Sequence, residues 1–327
     1  MIIALDAAGG DFYPQRPVSG AIQAVEERDD IEILLIGPAK MVKDELNEQG
    51  YDGNKIKVID APDIIGMQES PSVAVKSKQQ SSIANGLGLH AQGKCHAFVS
   101  AGNTGALMAA SVMILGRIDG VLRPVIGSTY PSIHGNKLMV DVGANIDVKP
   151  EMLVQFGLMG KVFAKNVLDI DSPTIGLLNV GEEEEKGRES VKKAYELLKG
   201  REDFVGNIEG RDIMRGKADV YVCDGFVGNI LLKYGESLPE NLSAVIKQAM
   251  IRKKLQPEQM KLVADVLAEA FRPFDYQLVG GVPFLGVNGT SLVCHGGSTV
   301  LAIKNAIFTA AKMVTTKVNN QIKSELN

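Results

Sequence analysis

The sequence predicts an α/β protein, an α/β/α sandwich built on a mostly parallel sheet. Short apolar runs bounded by Gly, Asp and Asn alternate with helical patterns along the chain, the mark of βαβ units with helices on both sheet faces. Three times, at 97–107, 220–230 and 291–301, an apolar strand runs through a short Gly-and-polar turn straight into a helix. Such turns present the first N–H groups of a helix outward, where the helix dipole favours negative charge. In a parallel sheet they gather along one edge, at the strands' carboxyl ends, and point to an anionic ligand, a phosphate.

Taken in order, strands are predicted at 2–5, 31–36, 56–59, 97–100, 138–142, 174–178, 204–208, 220–223 and 291–294, each a short apolar run bounded by turn residues. Helical spacing fits 17–28, 40–49, 72–86, 104–115, 151–168, 186–199, 228–249 and 299–324. From 237 to 274 no strand intervenes. There Leu238, Leu242, Val245, Ile246 and Ala249 share one helical face, and Met260, Val263, Ala264, Leu267 and Phe271 share another. Pro257 sits at the start of the second helix, where proline is tolerated. We expect a single α/β catalytic domain over 1–327 from which 237–274 projects as a helical hairpin. Its tip, Arg252, Lys253 and Lys254, is basic. The hairpin has two readings: packing on the core or a twin subunit, or contact of Leu242, Ile246 and the tip with an anionic membrane or acidic partner.

Composition narrows the function. The chain has 327 residues, 45% of them hydrophobic and 23% charged, which is ordinary for a packed soluble protein. A net charge of −4 and the absence of Trp argue against a nucleic-acid binder. Three cysteines, Cys95, Cys223 and Cys294, form no disulfide framework and suit a reducing cytosol. The N-terminus carries no basic n-region, and no apolar run reaches the roughly 18–20 residues that span a bilayer. A cytoplasmic or peripheral protein is expected.

Six turns offer chemistry. Asp6, Gly9, Gly10 and Asp11 follow the first strand, without the spacing of a dinucleotide fingerprint or a phosphate loop. Ser100, Gly102, Asn103, Thr104 and Gly105 make the best anion site, because glycines admit backbone approach while Asn and Thr donate hydrogen bonds. Asp141 and Asn145 follow a third strand, Asn179 and Glu182 a fourth. The acidic run 182–185 reads as the first turn of a helix rather than a metal site, because no His or spaced Asp accompanies it. Lys186 and Arg188 could face an anion. Asp224, Gly225, Gly228 and Asn229 form the fifth turn, and His295, Gly296 and Ser298 the sixth. Of the four histidines, only His295 stands at a strand end beside glycines, where proton chemistry is plausible. Cys223 and Cys294 end apolar strands and are expected to point into the core.

These segments, Ala4–Asp11 and Ser100–Leu107 together with 141–145, 176–182, 224–229 and 295–296, resemble in order the bacterial phosphate acyltransferase family of phospholipid synthesis, PlsX. Ala8 and Phe12 stand where that family usually has Met and His, Ser298-Thr299 replaces Ser-Asp, and the basic stretch after Pro71 is reduced to Lys76 and Lys78. The resemblance implies a Rossmann-like fold similar to phosphotransacetylases and the isocitrate/isopropylmalate dehydrogenase group. It also implies a homodimer, peripheral on the membrane and without a cofactor. Such an enzyme moves a long acyl chain from acyl carrier protein to inorganic phosphate, and the acyl-phosphate passes to a downstream glycerol-3-phosphate acyltransferase. Phosphate is already an anionic nucleophile, and a thiol of pKa about 8.5 leaves well, so the protein need only orient them and stabilise the oxyanion. In this reading Asn103 and Thr104 hold phosphate, and His295 or Lys186 assists thiolate departure. Lys161, Lys165, Arg252, Lys253, Lys254 and Lys261 are candidates for docking an acidic carrier protein. The alternatives are a short-chain acetyl- or butyryltransferase using acyl-CoA, a nicotinamide-dependent dehydrogenase of the shared fold, and a membrane scaffold.

Overall fold

The structure, a computed structural model, describes residues 1–326. Within them one sheet contains β1 (Ile2–Asp6), β2 (Glu32–Gly37), β3 (Ile56–Asp60), β4 (Ala97–Ser100), β5 (Val125–Ser132), β6 (Gly135–Val140), β7 (Ile175–Leu178), β8 (Phe204–Ile208), β9 (Val220–Val222), β10 (Val282–Leu285) and β11 (Thr290–Val293). Their spatial order is β3-β2-β1-β4-β11-β10-β5-β6-β9-β7-β8. The strands alternate in burial. Ile3, Leu5, Ala97 and Val99 face one core with helices Gln15–Glu27, Pro150–Val167 and Val300–Thr315. Ala4 and Phe98 face the other, with helices Pro71–Ser77, Ser82–Ala91 and Thr104–Ala110. The predicted sandwich is present.

Two strands escape the sequence reading. In β5, Gly127 and Pro131 interrupt the apolar alternation, and β10 contains Pro283, a residue that normally demotes a strand. Both matter to topology. β10 runs antiparallel to β11 and to β5, and β5 runs antiparallel to β6, whereas the other seven pairings are parallel. The two parallel halves therefore run in opposite directions. Register brings their ends together: Val293 pairs with Val282, Phe284 with Ile126, and Gly127 with Val140. The expectation that the turns line one edge is thus corrected. Carboxyl ends from the two halves meet at a central seam.

Several helices also depart from expectation. The predicted 72–86 helix breaks after Ser77 and restarts at Ser82, where the Ser81 hydroxyl accepts the N–H of Ala84 as a new N-cap. The predicted 299–324 helix breaks at Lys317, whose φ of 53° cannot continue it. After Ala110 the next helix loosens into a π-helical turn, Ser111–Leu115. The predicted 186–199 helix starts only at Glu189, because 181–188 forms a loop. The hairpin consists of Gly225–Arg252, with Pro239 inside, and Pro257–Phe271. No described helix is long and apolar enough to cross a membrane.

An ion-pair cluster ties the second half of the sheet to its helices. Lys161 reaches Asp203 at 2.5 Å and Glu325 at 3.4 Å, and Arg201 grips Asp203 with both Nε and Nη2 at 2.9 Å. Burial raises the Asp203 carboxyl, but hydrogen bonds from Arg201 and Lys161 outweigh it and bring it down to about 2. A folded carboxyl held below its ordinary 3.8 stabilises the fold above that value and loses the contribution as pH falls through about 2. Asp203→Asn should therefore lower Tm by a few degrees at neutral pH. Thermal unfolding followed down to acid should show the two proteins converging, and a gap that persists unchanged at the acid end would contradict the ion-pair origin.

Candidate active site

In the first half of the sheet a buried carboxylate organises the turns. Asp6 ends β1, accepts the Ala8 N–H at 2.9 Å on Oδ1 and the Ser100 hydroxyl at 2.6 Å on Oδ2. The Ser100 oxygen in turn accepts the Gly102 N–H at 2.9 Å. Burial pushes the Asp6 carboxyl up, and bonds from Ser100, Ser82, Ala8 and Gly9 hold it back. Gly9 has no room for a side chain, since a Cβ there would lie 2.4 Å from Asp6 Oδ2 and 2.7 Å from the Gly102 nitrogen. Gly10 and Asp11 abut the sixth turn, with the Asp11 N–H bonded to the Gly296 carbonyl at 2.8 Å.

Asn103 behaves differently from its expected role. Its Oδ1 caps the Thr104–Ala110 helix by accepting the Ala106 N–H at 3.0 Å. Its Nδ2 donates to the carbonyls of Gly66, Met67 and Glu69 at 3.0–3.3 Å. Both ends of the amide are engaged by protein, so the side chain positions a loop rather than gripping phosphate. Thr104, beside it, is exposed, and Gly105 packs against Pro71.

A second buried carboxylate does the same work in the other half. Asp141 has no exposed surface, and its Oδ1 accepts N–H groups of Gly143 at 3.1 Å and Ala144 at 3.0 Å. Its Oδ2 accepts the Asn145 backbone at 2.6 Å and side chain at 2.8 Å, and Asn145 Nδ2 also reaches the Pro124 carbonyl at 2.9 Å. The Asn145 carbonyl accepts the Gly225 N–H at 2.7 Å. Gly228 is indispensable there, since a Cβ would fall 1.8 Å from the Asp141 carbonyl oxygen. Asp224 caps the same helix through Val227 at 2.8 Å and pairs with Arg188 at 2.9 Å. Asn229, one turn on, is exposed and donates to the Val142 carbonyl at 3.2 Å.

The fourth turn stands apart. Asn179 bonds back onto its own loop through the Lys186 carbonyl and the Val180 N–H. Glu182 pairs with Lys217 and Glu184 with Lys199, so the acidic run is a loop of ion pairs and not a helix start. Lys186 is exposed and does not line the cleft described below.

The sixth turn closes through Ser298 N–H to the His295 carbonyl at 2.9 Å, while His295 Nδ1 accepts the Gly297 N–H at 3.1 Å. A neutral imidazole so arranged carries its proton on Nε2. Arg16, stacked 3.4 Å from the Phe12 ring centre, donates to the carbonyls of Gly297 and Ser298 at 2.8 and 3.1 Å. Ser298 is buried, and its hydroxyl finds no partner among the described residues. Such a group is a ready donor to a bound anion.

Across the seam, Thr104 and His295 from one half face Gly143 and Asn229 from the other at the head of a cleft of about 310 Å³. The remaining walls are largely apolar: Ile126 and Tyr130 of β5, Leu232 of the first hairpin helix, Phe274, and Val282 of β10. Of the expected site residues, Thr104, Asn229 and His295 line this space, and the others described above mostly build the turns beneath it. Cys294 also touches it, but burial pushes its thiol to about 12 and also pushes that of Cys223 well above its ordinary value, so neither is a ready nucleophile. The sequence reading missed Tyr130, Phe274 and the Arg16 clamp. Tyr130 and its strand carry a β-branched and aromatic signal that Gly127 and Pro131 obscured. Nothing in the spacing of Arg16 marks a contact across some 280 residues.

Comparison with known proteins agrees with this architecture. A sequence-family model described as fatty acid synthesis protein matches residues 1–321. The phosphate acyltransferase of Salinibacter ruber is 47% identical over 98% of this chain and 96% of its own. That of Chlorobaculum parvum is 45% identical over 100% and 99%. The chain belongs to the phosphate acyltransferase family. A phosphotransacetylase from Streptococcus pyogenes shares the fold, with a TM-score of 0.64 at 15% identity over 96% of this chain and 94% of that one.

The Asn103 geometry sets a direct test. Asn103→Ala should cost about 0.5–2 kcal/mol in chemical denaturation without phosphate, the usual value of a lost N-cap. Unchanged stability, with only phosphate affinity lost, would restore Asn103 as a phosphate ligand.

Proposed function

We propose that the protein transfers an acyl group from the thioester of acyl carrier protein to inorganic phosphate, yielding acyl-phosphate for phospholipid synthesis. The observation that carries this is the cleft itself: a polar head of helix-start turns opening directly into an apolar trough. A phosphate at the head and an acyl chain in the trough place nucleophile and carbonyl side by side. A phosphate oxygen attacks the thioester carbonyl, and the C–S bond then breaks. The carrier's thiolate leaves and takes up a proton. His295 supplies that proton from Nε2, while Thr104 and Asn229, which line the head of the cleft, stabilise the oxyanion and phosphate.

The hairpin supports the peripheral part of the proposal. Its Leu242 and Val245 are exposed, Ile246 is half-buried, and Arg252, Lys253 and Lys254 form an exposed basic tip. A surface of this kind suits anionic lipid, a twin subunit or an acidic carrier protein. Lys161, engaged with Asp203 and Glu325, is the weakest of the docking lysines.

Acyl carrier protein thioester, acyl-CoA and phosphate, mixed with the protein with and without anionic liposomes, test the reading. Acyl-phosphate should accumulate only with phosphate present, and faster from the carrier-protein thioester. A preference for short acyl-CoA would favour the short-chain transferase reading. His295→Ala should lower kcat by about 10²–10⁴-fold, whereas Cys223→Ser/Cys294→Ser should keep its activity. Near-normal turnover in the first or complete loss in the second would overturn the assigned roles.

A further inference from the structure

The trough has a direction and an end. β10 pairs with β5 only through Phe284–Ile126 and Leu285–Val125, so β5 outruns its neighbour on that side. The space beside residues 127–131 belongs to the trough, which Gly280, Gly281 and Phe274 also line. Two elements leave the head together. Asn229 lies against Gly143 there, and its helix passes on through Leu232 to Gly235. β5 passes on from Ile126, whose N–H donates to Asp141 at 3.4 Å, to Tyr130. Alternate residues of a strand share a face, so Ile126 and Tyr130 look to the same side, and both belong to the core that Leu232 packs against. Between them the strand advances about 14 Å.

Both paths meet at the far end. Tyr130 is 6% exposed and packs directly on the helix backbone at Gly235. A Cβ at Gly235 would fall 2.6 Å from the Tyr130 hydroxyl and 2.8–2.9 Å from carbons of its ring. Lys233 and Glu236, ion-paired at 2.8 Å, line the trough on the same helix. An apolar chain entering from the head therefore passes Ile126, Leu232 and Phe274 and reaches an aromatic ring backed by a helix. Beyond the ring it would have to strip water from an ion pair, which is costly.

We infer that Tyr130 and Gly235 together set the length of acyl chain the cleft accepts, the ring stopping the chain's methyl end. This rests on the acyl-transfer reading above and states what that site selects. Glycine is among the poorest residues for a helix interior, so the close approach of the ring, not the helix, accounts for Gly235. Any side chain there must displace the ring. Because Tyr130 is otherwise buried in the core, the trough is the unfilled space into which it can move.

A double-mutant cycle read across chain length tests this. Saturated fatty acids from octanoic to octadecanoic compete with a fluorescent fatty acid for the protein, and kcat/KM is measured with the matching thioesters and phosphate. In Tyr130→Ala the preferred chain should lengthen, each methylene past the original optimum gaining up to about fourfold. In Gly235→Ala it should shorten, the longest chains losing about tenfold or more relative to short ones. With the ring gone Gly235→Ala has nothing to displace, so Tyr130→Ala/Gly235→Ala should match Tyr130→Ala alone. Tyr130→Phe retains the ring and should retain the optimum. Tyr130→Leu replaces Tyr130→Ala should thermal unfolding show that the latter does not fold. An unchanged length profile in either single alanine variant, additive shifts in the double variant, a shifted optimum in Tyr130→Phe, or no fatty-acid binding by the unaltered protein overturns the inference. Acyl transfer itself is read separately. No phosphate-dependent acyl-phosphate at any length refutes that reading, whereas the competition data still report on the chain site.

Discussion

A carboxylate without exposed surface, Asp141, gathers the N–H groups of Gly143, Ala144 and Asn145, the Asn145 amide and, at 3.4 Å, the Ile126 N–H of β5. A buried charge is tolerable only when it is met by donors in this way, and removing them would strand it. Its bonds fix the 141–145 turn to β5, and the turn then fixes the hairpin helix through Asn145 and Gly225. Asp6 plays the matching part on the other half with Ala8 and Ser100. Two buried acids thus hold the turns that make the head of the cleft. Neither lines the cleft itself.

The placement of the cleft follows from strand direction. Parallel strands present their helix-start turns at carboxyl ends, and the reversal through β10 and β5 sets two such ends face to face. Each of three turns also uses an N-cap side chain, Asn103, Asp224 or Thr299, to satisfy one early N–H of its helix. Those caps stiffen the turns. The donors left to meet a ligand are then held in place before it arrives, the condition for electrostatic stabilisation of an oxyanion.

Much of this was legible in the sequence, and for identifiable reasons. Nine strands and the hairpin show plain apolar periodicity, and the six Gly-and-polar turns announce themselves by composition. β5 and β10 do not, because Gly127, Pro131 and Pro283 break their local pattern while tertiary pairing keeps them as strands. Without those two strands the sheet reads as one parallel series, and the seam stays hidden. The site residues divide the same way. Thr104, Asn229 and His295 were recognisable by type and position. The capping use of Asn103 depends on a loop at 66–69 that approaches from outside its own motif, so sequence spacing had no access to it.

In the proposed chemistry phosphate itself attacks and the protein supplies no nucleophile, a reading that the burial of the thiols nearest the cleft supports. The most direct test incubates the protein with an acyl thioester and ¹⁸O-labelled phosphate, then measures intact-protein mass and the label in the acyl-phosphate. Direct attack predicts unmodified protein and ¹⁸O in the oxygen bridging carbon and phosphorus. An acyl adduct on the protein that forms without phosphate and is consumed when phosphate is added would contradict it.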